Sequence, residues 1–95
     1  MNGCYIIHSD KLNRYYVGST QDEVTSRIEK HNNASYGRRK FTASANDWKL
    51  ILFIHAIDFA HAVRIERKIK SMKSSKYIQN LISYPDLVEK LTRNI

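Results

Sequence analysis

Gly3-Cys4-Tyr5-Ile6-Ile7-His8-Ser9 and Arg14-Tyr15-Tyr16-Val17-Gly18-Ser19-Thr20 are the two stretches that decide the fold. Both are rich in aromatic and β-branched residues, and Asp10-Lys11-Leu12-Asn13 between them is polar. Two such runs joined by a short polar turn predict an antiparallel β-hairpin. With its centre between Asp10 and Lys11, the hairpin sets Tyr5 directly opposite Tyr16, and opposed residues project from one face. A slip of one residue would separate the phenols, so this pairing is an expectation for the structure to test.

Working outward, Thr20 is placed to cap a helix over 21–32, with Asp22 and Glu23 in its first turn. The apolar stripe of that helix is thin: Val24 and Ile28, flanked by Arg27 and His31. Residues 33–47 form a polar loop, long for a compact fold and therefore a working segment or a mobile one. Residues 48–57 are nearly continuous in apolar side chains and are expected to form the central strand. Asp58 can cap a helix over 60–72, in which Ala62, Ile65, Ile69 and Met72 recur at spacings of three and four. Ser74-Ser75 ends it. A short helix over 76–83 follows, and Pro85 suits the first turn of a fourth, bearing Leu87, Val88 and Leu91. The expected architecture is α+β: a three-stranded, mostly antiparallel sheet flanked by about four helices, as one domain over 1–95 with no dividing linker.

Composition narrows the partners. Sixteen Lys and Arg against nine Asp and Glu leave a formal charge of +7, with a pI near 9.7. On so small a body this favours a polyanion, because neutralising phosphates releases condensed counterions; a soluble domain that is merely basic is the plainer alternative. A hydrophobic fraction of 42% supports a core, and no biased or repeated tract points to disorder or a solenoid. The longest apolar run, 50–54, is far too short to span a bilayer, so no membrane partner is expected. The N-terminus lacks a secretory profile, and Cys4 alone makes neither a disulfide nor a zinc cluster. A reducing, cytoplasmic setting is the expectation.

Several side chains carry potential chemistry, each with a plainer role beside it. Glu66 is surrounded by Arg64, Arg67, Lys68, Lys70, Lys73 and Lys76, and by helical projection borders the apolar stripe. It is either the partner of Lys70 in an i,i+4 ion pair or a hard ligand for one Mg²⁺-like ion, with neighbouring cations such as Arg67, Lys70 and Lys73 on the nucleic-acid backbone. Arg27 and His31 share a helix face. They are either an exposed arginine and a solvated or core-edge histidine or, respectively, a fork for a phosphate and a group that accepts a proton or holds a tyrosine or water in place. Tyr5 and Tyr16 are packing aromatics or, with a cation near the phenol, groups that handle a water. Gly18 suits a close approach of backbone or ligand, or a bulge. Tyr36, Arg38, Arg39, Lys40 and Phe41 mix charge and aromatic rings in the loop, as in clamps on single strands, or as a solvated loop. His8, His55 and His61 have no ligand spacing, and Ser19, Ser26 and Ser35 no nucleophile context. Cys4, Trp48 and Phe53 are assigned to the core.

The order of these groups resembles the GIY-YIG nuclease superfamily. Gly3-Cys4-Tyr5 is similar to its first signature and Tyr16-Val17-Gly18 to its second. The stretch 27–32 resembles the helix that bears the family's arginine and histidine, and 62–70 the segment with its glutamate. The likeness covers roughly residues 3–80 and is nearest to small stand-alone members. These in turn resemble the N-terminal nuclease module of the bacterial excision-repair incision subunit. The resemblance implies a DNA endonuclease, with single-stranded or branched DNA as candidate substrates and a role in DNA repair. It implies one divalent ion, Mg²⁺ or Mn²⁺, on Glu66. Tyr5 is implied as general base with help from His31, Tyr16 as the group positioning water or phosphate, and Arg27 as stabiliser of the transition state. Cysteine replaces the usual aliphatic residue of the first motif, and Ser19 stands where repair-type members often carry lysine. Asn80 is the only counterpart of a late family asparagine. The alternative is a nucleic-acid-binding module that keeps the fold without cutting. Monomer and homodimer both remain open.

Overall fold

A computed structural model describes residues 1–33 and 41–95. Its sheet comprises β1 (Gly3–Ser9), β2 (Arg14–Thr20) and β3 (Lys49–His55), and its helices are α1 (Val24–Asn32), α2 (Phe59–Met72), α3 (Ser75–Ser83) and α4 (Pro85–Arg93). A single 3-10 turn, Phe41–Ser44, precedes β3. The strand order is β2-β1-β3 and both pairings are antiparallel. The α+β class read from the sequence is what the chain adopts.

β1, not the apolar run at 48–57, is the central strand. Five consecutive residues from Gly3 to Ile7 are buried, because the helices on one face and Ala45, Trp48 and α1 on the other cover it. β3 lies at the edge; Leu50 is 40% exposed and Ile57, beyond its end, 85%. Continuous hydrophobicity therefore marked a strand correctly but misjudged its place. Coverage on both faces, not local apolarity, makes a strand central.

The hairpin register also differs from the expected one. Tyr5 faces Gly18 and Tyr16 faces Ile7, so the turn centre lies between Lys11 and Leu12. Each strand has slid by one residue relative to the other half of the turn, which moves every partner by two and keeps the side chains on their faces. Asn13, at φ 51°, takes the left-handed conformation that closes the turn. The two phenols consequently share a face without being opposed.

That face carries Tyr5, Ile7, Ala45 and Trp48, with Tyr16, Val24 and Ile28 packed on them. The opposite face buries Cys4, Ile6, Val17 and Ile54 beneath Ile65 and Ile69 of α2, Leu81 of α3 and Leu91 of α4. Asp58 caps α2 as the sequence suggested, its carboxylate accepting from the His61 backbone N–H. His61 then accepts at Nδ1 from the Ile57 N–H, which fixes its tautomer, and Nε2–H donates to the Thr92 carbonyl of α4. The apolar stripe of α2 stops at Ile69: Met72 is 42% exposed, because the chain leaves the helix at Lys73 in a left-handed conformation. α1 begins at Val24, three residues later than expected. The Thr20 hydroxyl accepts from the Asp22 N–H in a local turn, which diverts the chain before a helix can start. No helix among the described residues is long and apolar enough to cross a membrane.

Candidate active site

Period-two alternation in β1 and β2 places Tyr5, Gly18 and Tyr16 on the α1 face of the sheet. Tyr5, 2% exposed, lays its phenol across Gly18: a Cβ at that glycine would meet the phenol oxygen at 2.5 Å. Gly18 is thus explained by a close ring approach and not by a bulge. The Tyr5 hydroxyl lies 2.8 Å from His31 Nε2, and the Tyr16 ring centroid is 5.0 Å from that of His31.

His31 is held at both nitrogens. Its Nδ1 lies 2.7 Å from Thr42 Oγ1, and the Thr42 carbonyl accepts from Trp48 Nε1 at 2.8 Å. Asn32 secures the same region by accepting from the Trp48 backbone N–H and donating to its carbonyl. Burial first, and the Arg27 guanidinium second, lower the His31 pKa to about 4. The imidazole is therefore neutral at physiological pH, with one donor and one acceptor to share between Tyr5 and Thr42. Arg27 sits at the flank of this cluster, its Nη2 3.7 Å from the Asp22 carboxylate.

Glu66 belongs to the other face of the sheet, where α2 packs under β2. Its Oε1 accepts from Ser19 Oγ at 2.5 Å and its Oε2 from Lys70 Nζ at 2.6 Å. The carboxylate side chain is 21% exposed, so it is neither sealed nor fully solvated. The Ser19 oxygen also lies 3.2 Å from the Ala62 carbonyl, a second acceptor for its single proton. Next to this pair, burial and the Glu66 charge push the Cys4 thiol up to about 12, which makes it an inert core residue.

Lys70 links the halves. Its ammonium contacts Glu66 and lies 5.5 Å from the centroid of the Tyr16 ring, reaching round the exposed edge of β2. Tyr5, Tyr16 and His31 therefore form one cluster with Arg27 beside it, and Glu66 joins through Lys70. The i,i+4 pairing with Lys70 that the sequence offered as the plainer role for Glu66 is present. Among the cations singled out for nucleic acid, Lys70 is part of the site, Lys73 lines an adjoining cavity and Arg67 is exposed on α2. Arg38, Arg39 and Lys40 lie outside the described residues. Asn80 is half-buried on α3, which packs against both α2 and α4.

Two contributors were not identified from sequence. Ser19 had a signal: alternation puts it opposite Cys4, on the face away from Tyr16, and so against whichever helix covers that face. Thr42 had none, since nothing local distinguishes it within a polar loop. The family model for the GIY-YIG catalytic domain matches residues 1–79, from β1 into α3. No curated protein and no solved structure matches the chain. With four fifths of its length matched, the chain belongs to the GIY-YIG family of nuclease domains.

Proposed function

We propose that this chain, as a single domain, is a divalent-metal-dependent DNA endonuclease that hydrolyses a phosphodiester bond with one ion. The observation that carries the reading is the meeting of the Tyr16 phenol and the Glu66 carboxylate on either side of one ammonium, Lys70.

The donor set suits the ion. Among the described residues no group of three or more acid, histidine or cysteine side chains could enclose a metal. One accessible carboxylate instead suits Mg²⁺ or Mn²⁺, which keep most of their waters and complete their shell with substrate phosphate. Glu66 would hold the ion, with Ser19 fixing one carboxylate oxygen and Lys70 giving up the other. When bound, the ion supplies Lewis acidity to the phosphate and to the leaving 3′-oxygen.

The protein's own groups do the rest. Arg27 forks onto the phosphate and stabilises the charge that grows in the pentavalent transition state. A water attacks phosphorus as its proton passes to a phenolate, a tyrosine that has first given up its own proton beside a cation; the bond to the 3′-oxygen breaks, and that oxygen leaves with the electron pair and takes a proton from solvent water. The resemblance assigns the base to Tyr5 and positioning to Tyr16. Burial supports the exchange of these roles: Tyr16 is half-buried under Lys70 and can meet water, whereas Tyr5 is 2% exposed and committed to His31. Tyr5 and His31 then hold Tyr16 in place.

The test uses labelled single- and double-stranded DNA with Mg²⁺ or Mn²⁺, with chelator, and with Glu66→Ala. Cleavage that requires metal and vanishes in the variant, with binding retained, is the expected result. Cleavage indifferent to both sinks the reading. Tyr16→Phe is expected to abolish cutting and Tyr5→Phe to reduce it. A module that binds without cutting is the second reading, favoured by the fact that Ser19 and Lys70 already satisfy the carboxylate. Binding with no cleavage under any metal would select it.

A further inference from the structure

Beside Tyr16, at the edge of β2, a cavity of about 290 Å³ opens between the hairpin, the C-terminal end of α2 and the start of α3. Its lining combines two chemistries. Val17, Ile69 and Ile78 give it apolar walls, and Arg14, Lys70 and Lys73 place three cations around it; no acidic residue lines it, and of the three Lys70 is also paired with Glu66. Ser74 and Ser75 also line it, the Ser74 hydroxyl serving as the cap of α3. Tyr16 and Lys70 belong both to this cavity and to the candidate active site, so the two are contiguous.

Such a volume, at the lower end of ligand sites, admits one small unit and not a duplex. Apolar walls with a cationic rim complement a flat base joined to a phosphate, and charge complementarity selects that occupant over a neutral ligand. Lys73 strengthens the point. It occupies the left-handed position after α2, at φ 47°, where glycine is the unstrained choice, and there it lines the cavity.

Resting on the nuclease reading above, we propose that this cavity holds one unpaired nucleotide of the substrate strand adjacent to the scissile phosphate. Its base lies against Tyr15 and Ile78, and its phosphate lies among Arg14, Lys70 and Lys73. The enzyme then requires an unpaired nucleotide beside the cut, because a base stacked in a continuous duplex does not reach the cavity.

The experiment is a titration of the ¹⁵N-labelled full chain with thymidine monophosphate, without divalent metal, beside a titration with inorganic phosphate. The amides of Tyr15, Lys73, Ser74 and Ser75 are expected to shift with the nucleotide, and phosphate alone to bind more weakly. Lys73→Gly, which keeps the left-handed turn, is expected to weaken nucleotide binding about tenfold with no loss of thermal stability. Lys90→Ala, which removes one charge from α4, is expected to leave binding unchanged. Equal effects of the two variants reduce the cavity to general electrostatics and overturn the proposal. Identical shifts and affinity with inorganic phosphate overturn the base pocket. Because the readout needs neither metal nor cleavage, its failure is separable from failure of the nuclease reading.

Discussion

His31 shows how much one residue's surroundings decide. Its 4% exposure and the nearby guanidinium keep it neutral down to about pH 4, while an imidazole in the unfolded chain takes a proton near 6.5. Between those values the unfolded state binds more protons, so acidification favours unfolding. Stability is expected to fall by on the order of 2 kcal/mol from pH 7 to pH 4, and the His31→Gln variant to lose that share of the slope, as read by urea denaturation at each pH. Thr42→Val removes the hydroxyl that meets Nδ1. It is expected to cost about 1–3 kcal/mol and to lower cleavage, with Thr42→Ser restoring both. Gly18→Ala drives a methyl into the Tyr5 phenol. A loss of about 1–3 kcal/mol in denaturation and a larger proportional loss of cleavage are expected, because the displaced ring belongs to the candidate site. Of these residues the sequence marked His31, Tyr5 and Gly18. Thr42 was invisible because its role depends on a partner eleven positions away across a loop.

Among the elements, α2 was the most legible, since its cap and its 3.6-residue stripe from Ala62 to Ile69 are local signals that packing kept; only Met72, at its end, was misassigned. Its ends offer paired predictions. Asp58→Ala removes the cap and is expected to cost about 1 kcal/mol. Lys73→Gly relieves the left-handed turn and is expected to add about 1 kcal/mol. Urea midpoints at constant slope check both changes. α1 was less legible because its first turn competes with the Thr20 turn, a contest between two local hydrogen-bonding options that differ little in energy. β3 was recognised as a strand and misplaced as central, since edge or centre depends on what the other strands leave uncovered.

At the scale of the molecule, the charge of +7 sets the response to salt. Four phosphate contacts, as Arg14, Arg67, Lys70 and Lys73 could supply, lead to a roughly hundredfold loss of DNA affinity between 50 and 200 mM salt, measured by fluorescence anisotropy. A flat salt profile would rule out backbone contacts as the main source of affinity. α4 lies beyond the matched residues 1–79, yet it is tied into the fold through Leu91 in the core and the His61–Thr92 bond. The sequence alone determined the fold class, the hairpin, the cap of α2, the basic character and the order of the signature groups. Each follows from patterns spanning a few residues or from composition. Tertiary structure decided that β1 is central, that Tyr5 crosses Gly18, that Ser19 and Thr42 hold Glu66 and His31, and that Lys70 reaches round β2 to join two faces of the sheet. Register and edge position come from competition among distant surfaces for burial, and that competition is settled only when all the elements pack together.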